Sequence, residues 1–356
     1  MKNIAKINFV IIATLVGAGF ASGKEIYSFF FVYGINGIIG VFFSSLIISF
    51  TIYKVLKICQ INNINTFEEF CYYIFKNNLK KCKDKQVKEI SENINKIINI
   101  FLLVSFYIMI SGFSSFLNQE FCVNRYVGSV IIVVLCYIAF QNKMNSLIRI
   151  SDFLVPILIV FIVLISAMNI NVIENYKICE RLNRCFSECS CIFPFVKAAL
   201  YGGYNCILLI PILIPLRKVA GNLKNINKIF GVSFLTIVVL SLSVYNILLL
   251  GNNNIYKQEM PIISIVSRYG KTCKIAYLFL IASSIYTTAI SAGCGFLNGC
   301  SSKKYYRNCF IICLTAIFIS QIKFSFFVEL LYPVLGVFGL IEISVIIFAR
   351  IRQKST

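Results

Sequence analysis

Apolar runs of about twenty residues, separated by short polar segments, repeat along the whole chain. A helix needs a run of this length to cross the hydrocarbon core of a bilayer, because each residue advances it by about 1.5 Å. We therefore predict an all-α integral membrane protein with about ten transmembrane helices. The ten predicted spans run roughly over residues 7–33, 35–58, 97–117, 126–140, 147–168, 192–216, 229–250, 273–296, 308–322 and 326–349.

The first predicted span is interrupted in its middle. Gly17, Gly19 and Gly23 and the charged pair Lys24 and Glu25 fall inside a run that is apolar on both sides. Lipid cannot hydrogen-bond free peptide groups, so unwound backbone at membrane depth occurs only where protein buries it or where it lines a polar cavity. The pattern predicts a broken helix that forms half of a binding site.

Two other interpretations of this glycine-rich stretch stay open. The first is a cleaved signal peptide, in which Lys2 and Lys6 precede an apolar stretch and small residues surround Ala21; cleavage would leave nine spans and reverse the charge distribution described below. The second is a seam of close helix packing, in which Gly19 and Gly23 form a small-x-x-x-small pattern.

A second glycine pair, Gly202 and Gly203, lies in the sixth span, about half a chain after the first break. Many secondary transporters consist of inverted repeats whose discontinuous helices meet near the bilayer midplane. Half-helix N-termini at such breaks bind anionic groups, and freed carbonyls bind cations. We therefore predict a second break over residues 198–205 and two five-helix repeats, 1–170, which includes a cytoplasmic loop over 60–95, and 171–356.

Several motifs resemble the YkvI-like bacterial membrane proteins, and the resemblance covers essentially the whole chain. They are the stretch 17–25 with Phe29, Phe30, Tyr33 and Gly34, the stretch 201–205, the stretch 286–291, and Leu331-Tyr332-Pro333. These proteins are distant members of the amino acid–polyamine–organocation superfamily. The resemblance implies a LeuT-type fold with discontinuous helices 1 and 6, and the function of an amino acid permease.

The resemblance also implies particular site residues. In related transporters, backbone amides of the first break hold a substrate carboxylate, the sixth helix surrounds the amino group and side chain, and a third-helix tyrosine covers the substrate. The matching residues here are Gly17, Ala18, Gly19 and Phe20, then Tyr201, Gly202, Gly203, Tyr204 and Asn205, then Tyr107.

A sodium site is implied by the same resemblance. The hydroxyls of Thr287 and Thr288 would supply it together with the carbonyls of Ala13 and Val16. The alternative is that these adjacent hydroxyls bond back to carbonyls of their own helix.

Ionisable residues within spans are rare, and they usually serve a function. Glu25, Lys197 and Glu329 are candidates for proton coupling, although an internal ion pair between Lys197 and Glu329 would also satisfy both groups. Asp152 and Glu342 have structural roles by default. The position of Lys24 and Glu25 directly after the break departs from well-studied amino acid carriers, so the coupling ion, Na⁺ or H⁺, stays open.

The formal net charge of +20 follows the membrane topology. With the N-terminus inside, the cytoplasmic segments carry 23 of the 34 Lys and Arg residues, the opposite side carries 9, and Lys24 and Lys197 lie within spans. This asymmetry predicts cytoplasmic termini and a basic surface that faces anionic lipid, so nucleic-acid binding is not needed to explain the charge.

The chemistry of the remaining residues argues against an enzyme. There is no His, and no cluster of nucleophiles, paired carboxylates or metal ligands, so we predict no cofactor and no metal. Fifteen Cys residues are present, most of them single residues within spans. The one cluster lacks paired C-x-x-C spacing, and disulfides there are possible but not required: Cys179, Cys185, Cys189 and Cys191.

Two loops carry secondary-structure signals. The sequence from Thr66 to Glu69 predicts an amphipathic helix on the cytoplasmic side. Pro261 followed by apolar residues predicts a short external helix that could act as a lid.

These patterns favour a secondary active transporter in a bacterial plasma membrane. Its substrate would be a small amino acid or related amine-bearing solute, driven by Na⁺ or H⁺ through alternating access. The alternative is a receptor of the same fold that binds solute without pumping it, similar to the nutrient-receptor subunits of spore germination. The sequence does not indicate the direction of transport or the oligomeric state.

Overall fold

The computed structural model describes residues 2–78, 84–141, 144–173, 192–298 and 305–349, and these residues are almost entirely helical. The α-helices, numbered in chain order, are α1 (Lys2–Leu15), α2 (Ala18–Ser22), α3 (Lys24–Phe29), α4 (Gly34–Asn62), α5 (Phe67–Asn78), α6 (Asp84–Phe121), α7 (Arg125–Phe140), α8 (Met144–Ile173), α9 (Ile192–Ala220), α10 (Leu223–Leu248), α11 (Asn253–Tyr256), α12 (Pro261–Val266), α13 (Lys271–Asn298), α14 (Tyr305–Ile319), α15 (Phe324–Phe326) and α16 (Tyr332–Phe348).

The chain is a multi-pass membrane protein. Seven helical segments among the described residues are long and apolar enough to cross a bilayer, and three further apolar helices have 10–17 residues. Large apolar side chains such as Leu46, Val160, Leu235 and Phe318 are exposed on the outside, as a lipid-facing surface requires. The count of ten spans, the division into two repeats and the cytoplasmic position of the termini stay predictions.

The break in the first span is confirmed. Helix α1 ends at Leu15, Gly17 has an extended backbone with φ −95° and ψ −161°, and α2 then runs for only 5 residues. Gly23 ends α2 in the left-handed region at φ +82°, a conformation that only glycine adopts without strain, and α3 begins directly after it. Residues 16–23 therefore redirect the chain twice.

The predicted break in the sixth span is wrong, because α9 continues without interruption from Ile192 to Ala220. Its glycines instead allow close contact with α16. A Cβ atom on Gly203 would lie 2.2 Å from the carbonyl oxygen of Gly336, and one on Gly339 would lie 2.0 Å from the carbonyl oxygen of Gly203. Small residues at a membrane helix interface let backbones approach closely, and this role explains the glycines.

The last span contains an irregularity that the sequence analysis did not predict. A π-helical turn, Phe327–Leu331, separates α15 from α16. Such turns inside α-helices often occur at functional sites. This turn contains Glu329 and directly precedes Tyr332, both of which contribute to the region described below.

Helices are present at both predicted loop positions, whereas their sides of the membrane and the role of the second as a lid stay predictions. Helix α5 begins with a capping box, in which the Glu69 amide donates to the Thr66 hydroxyl and the Asn65 amide donates to the Glu69 carboxylate. Helix α12 is the short helix expected after Met260, and its apolar residues are buried. The four-cysteine cluster lies outside the described residues.

We expect Gly203→Ala to lower the free energy of unfolding by about 2 kcal/mol, because the added methyl group overlaps the α16 backbone, which cannot rotate away. Thermal or chemical unfolding of the purified protein in detergent measures this change.

Gly231→Ala in α10 is the matched control, since a Cβ atom there meets nothing within 4 Å. It should be neutral or slightly stabilising, because alanine has the higher helix propensity. Equal stability of the two variants would contradict the close packing of α9 against α16.

Candidate functional site

Side chains of α13 hold the backbone carbonyls at the end of α1. The Thr288 hydroxyl donates to the carbonyl oxygens of Ala13 and Val16, at 2.7 Å and 3.1 Å. The Ser284 hydroxyl donates to the Val16 carbonyl oxygen at 2.5 Å. All four residues are buried, so these bonds replace the helical partners that the break removes.

The two adjacent threonines of α13 have different partners. The Thr287 hydroxyl donates to the Ser284 carbonyl oxygen of its own helix, at 3.0 Å, whereas the Thr288 hydroxyl bonds across to α1. Thr288, Ala13 and Val16 of the expected sodium site are thus brought together. Ser284 is a further member that the sequence analysis missed. It lies one turn before Thr288 on the same face of the helix, and this spacing is the signal that could have found it.

The other end of α2 is held by the same helix. The Tyr277 hydroxyl, in a side chain that is 1% exposed, donates to the Ala21 carbonyl oxygen at 2.6 Å. The Ser22 hydroxyl donates to the Gly19 carbonyl oxygen at 3.1 Å. Helix α13 therefore contacts the broken segment on both sides of α2.

The Glu25 side chain turns back toward α2. A Cβ atom on Gly19 would lie 2.1 Å from Glu25 Oε1, so the carboxyl group packs directly against the Gly19 backbone. Glu25 is 2% exposed. The Tyr204 hydroxyl of α9 donates to Glu25 Oε2, and Tyr332 of α16 also hydrogen-bonds to this carboxyl group. A buried carboxylate needs such partners because it has lost its hydration.

The hydroxyl partners of the Glu25 carboxyl group belong to a group of packed aromatic rings. Tyr204 and Tyr332 stack with ring centroids 4.5 Å apart, and Tyr201 meets Tyr204 edge-on at 5.4 Å. Phe29 of α3 lies 5.5 Å from Tyr201 and 6.0 Å from Tyr204. We call Glu25, Phe29, Tyr201, Tyr204 and Tyr332 the carboxyl–aromatic cluster. It joins α3 to α9 and α16.

A polar cavity of about 430 Å³ lies beside α3. The Lys24 ammonium is inside it, donating to the Tyr256 carbonyl oxygen at 3.1 Å and facing Glu329 Oε1 at 3.7 Å. The alternative ion pair between Lys197 and Glu329 is therefore not formed. The Lys197 ammonium lies over the Phe29 ring, 5.8 Å from its centroid.

The other predicted substrate residues have mainly structural contacts. The Tyr107 hydroxyl is 2.6 Å from the Thr315 hydroxyl of α14, and Asn205 donates to the Tyr201 carbonyl oxygen of its own helix. Gly202 packs on Ile47. Their roles toward a substrate stay predictions. Two of the predicted residues do meet: Phe20 and Tyr201 line a small cavity of about 10 Å³ together with Ile12, Leu15, Val16, Ile48, Ile237 and Leu240.

Four residues at this site were not predicted: Ser284, Tyr277, Phe29 and Tyr332. Phe29 and Tyr332 belong to motifs that carried the family resemblance, and the position of Tyr332 three residues after Glu329, a polar residue within a span, is a weak signal. No sequence signal marks Tyr277, because a tyrosine in an apolar run is most often a packing residue.

The chain is similar to an uncharacterized membrane protein of Bacillus subtilis (strain 168), YkvI. The two are 24% identical over an alignment of 364 positions, which covers 98% of this chain and 97% of that protein. No known family profile matches the chain.

Solved structures with the same fold are transporters. A Na⁺-coupled sialic acid symporter aligns with a TM-score of 0.62 at 12% identity, over 98% of this chain and 78% of its own. A mutant manganese transporter from Eremococcus coleocola aligns with a TM-score of 0.57 at 11% identity, over 98% of this chain and 78% of its own. A nucleobase–cation-symport-1 family transporter with bromovinylhydantoin bound aligns with a TM-score of 0.56 at 12% identity, over 95% of this chain and 70% of its own. The fold is thus one that membrane transporters use, and these three proteins are not enzymes.

The contact between Gly19 and Glu25 generates a double-mutant prediction. We expect Gly19→Ala to lower the free energy of unfolding by about 2 kcal/mol, because its methyl group displaces the Glu25 carboxyl group. In a Glu25→Ala background the same change should reduce the free energy of unfolding less, by a difference of about 1 kcal/mol or more, because the Glu25 carboxyl atoms that it displaces are absent. Chemical unfolding of the four proteins in detergent measures this coupling.

The control cycle combines Gly231→Ala with Glu25→Ala, and its effects should add. Additive effects of Gly19→Ala and Glu25→Ala would show that the carboxyl group does not pack on the broken segment.

Proposed function

We propose that this protein is a secondary active transporter of a small amine-bearing solute, an amino acid or a related amine, in a bacterial plasma membrane with both termini in the cytoplasm. The observation that carries the proposal is the buried broken segment at residues 16–23, which α13 holds on one side and the carboxyl–aromatic cluster borders on the other. Unwound backbone at membrane depth is where transporters of this architecture bind substrate and coupling ion.

The arrangement supports alternating access. The broken segment contacts α13 through hydroxyl groups, and Glu25 contacts α9 and α16 through tyrosines. Relative movement of these helices would change the contacts of the segment on one side while leaving those on the other side in place. A solute bound there would be exposed to the two sides of the membrane in turn.

Two coupling ions are compatible with the site. The carbonyl oxygens of Ala13 and Val16 and the hydroxyl oxygens of Ser284 and Thr288 form a set of neutral oxygen ligands that suits Na⁺. A proton would instead bind the Glu25 carboxyl group, which has hydroxyl partners and a buried position. Glu329 and Lys197 stand at the edge of the same region, and we propose them as further members of a proton pathway.

Transport is tested with purified protein in liposomes that carry an imposed Na⁺ or H⁺ gradient. Concentrative uptake of a labelled amino acid or amine, lost when the gradient is dissipated, is the expected result. Ligand-induced stabilisation without uptake across a broad panel would favour the receptor instead, and neither binding nor uptake would overturn the proposal.

If Na⁺ is the coupling ion, Thr288→Val should weaken the sodium dependence of uptake and raise the sodium concentration for half-maximal rate about tenfold or more, which is a loss of about 1.4 kcal/mol. Ser284→Ala should act in the same direction. The reason is that each substitution removes an oxygen next to the Val16 carbonyl.

Gly231→Ala in α10 is the control for this ion assignment, since a Cβ atom there meets nothing within 4 Å. Its sodium dependence should equal that of the unchanged protein. Unaltered sodium dependence in Thr288→Val and Ser284→Ala, together with loss of the H⁺ dependence in Glu25→Gln, would assign the proton instead.

A further inference from the structure

The Glu25 carboxyl group occupies the position next to the glycine break. In an amino acid carrier the backbone of such a break would face the carboxylate of the substrate, and this was the expectation for Gly17, Ala18 and Gly19. Here the chain places a carboxyl group of its own against Gly19, where a Cβ atom would lie 2.1 Å from Glu25 Oε1. The protein itself therefore supplies the acidic group at the break, which in an amino acid carrier would come from the substrate.

A second carboxylate at this place is electrostatically unfavourable. Two carboxylates that share a buried site repel each other, because low polarity strengthens their interaction and water cannot screen it. Glu25 is 2% exposed, and the hydroxyls of Tyr204 and Tyr332 hydrogen-bond to its carboxyl group. An amino acid would have to bring its own carboxylate into this enclosure next to Glu25.

Within the described residues, Glu25 has no ion-pair partner. The ammonium group next to it in sequence, Lys24, faces Glu329 and the Tyr256 carbonyl oxygen in the polar cavity beside α3. The Lys197 ammonium lies over Phe29. The partners of the Glu25 carboxyl group are the hydroxyls of Tyr204 and Tyr332, which a ligand can replace without leaving a buried charge of the protein unpaired.

The surrounding rings favour a cation as well. Aromatic faces attract ammonium groups, and the attraction is strongest where water is excluded. Phe29, Tyr201, Tyr204 and Tyr332 supply four rings, each with its centroid 4.5 to 6.0 Å from that of at least one other. A buried carboxyl group beside several aromatic rings therefore offers the chemistry that would bind an organic amine.

We infer that the solute is an organic amine that lacks a carboxylate, and that its ammonium group pairs with Glu25 in place of the tyrosine hydroxyls. Its carbon body lies against the rings of Phe29, Tyr201 and Tyr332. This inference rests on the proposed function for its place in a transport cycle, and it narrows the substrate class from amino acids and amines to amines alone.

The test uses pairs of compounds that differ only in the carboxylate: lysine and cadaverine, tyrosine and tyramine, alanine and ethylamine. Binding to the full-length protein in detergent is measured by thermal shift, since a ligand that binds the folded state raises its stability. We expect at least one amine to bind about 30-fold or more tightly than its amino acid. Glu25→Gln should weaken that amine about 30-fold or more, as expected when one member of a buried charge pair is lost.

Two further variants keep the test informative if Glu25→Gln does not fold. Tyr204→Phe retains the ring and removes a hydroxyl that competes for Glu25, so it should keep the preference for the amine. Glu342→Gln changes a carboxyl group on α16 that faces a separate apolar pocket containing Phe70 and Ile74, and it should leave amine binding unchanged.

The outcomes separate this inference from the transport proposal. An amine that binds through Glu25 but is not concentrated in liposomes supports the substrate class and contradicts transport. An amino acid that binds as well as its amine, or that is taken up while the amine is not, overturns the inference and leaves transport intact. Failure of every amine of the panel to bind also overturns it.

Discussion

The structure depends on one constraint, which is that peptide groups at membrane depth must have hydrogen-bond partners. Where α1 ends, the carbonyl oxygens of Ala13 and Val16 lose the partners that a continuous helix would supply, and both residues are buried. Ser284 and Thr288 of α13 provide hydroxyl groups at 2.5 to 3.1 Å. Because these bonds cross between helices, the break also fixes the position of α13 relative to α1. A segment that would be unstable in lipid thus becomes a joint between two helices.

The geometry of this joint explains why the chain needs its glycines there. Gly23 adopts φ +82° and lies against Ile262 of α12, where a Cβ atom would be 2.7 Å from the isoleucine side chain. Gly19 leaves room for the Glu25 carboxyl group. The turn at Gly23 and the space at Gly19 together allow an acidic side chain, only two residues after the turn, to enter the protein instead of the lipid. The burial of the Glu25 side chain is therefore a consequence of the same backbone path that creates the break.

Sequence patterns predicted this region well where a local rule applied. Three glycines and a Lys-Glu pair inside an apolar run conflict with an ordinary span, and a buried break resolves the conflict. The same reasoning failed for Gly202 and Gly203, because glycines in a span serve close helix packing as readily as unwinding. The distinguishing fact, Gly336 and Gly339 on the facing helix, lies more than 130 residues away in the chain. Ser284 and Val16 are 268 residues apart, so no local pattern could predict their contact. The π-helical turn before Tyr332 likewise has no local sequence pattern that predicts it.

A continuous α9 changes how the two sides of the site can work together. A second break would have offered backbone groups to the solute from both sides, and the present arrangement offers backbone from one side and side chains from the other. Tyr204 and Tyr332 stand on helices that the Gly203, Gly336 and Gly339 contacts hold together, so the two rings move as a unit. The broken segment lies between this unit and α13. Any movement of α9 and α16 relative to α13 must therefore alter the hydrogen bonds of Glu25, those of Val16, or both. Binding at either place is thereby linked to the same rearrangement, and two ligands that favour the same arrangement will strengthen each other's binding.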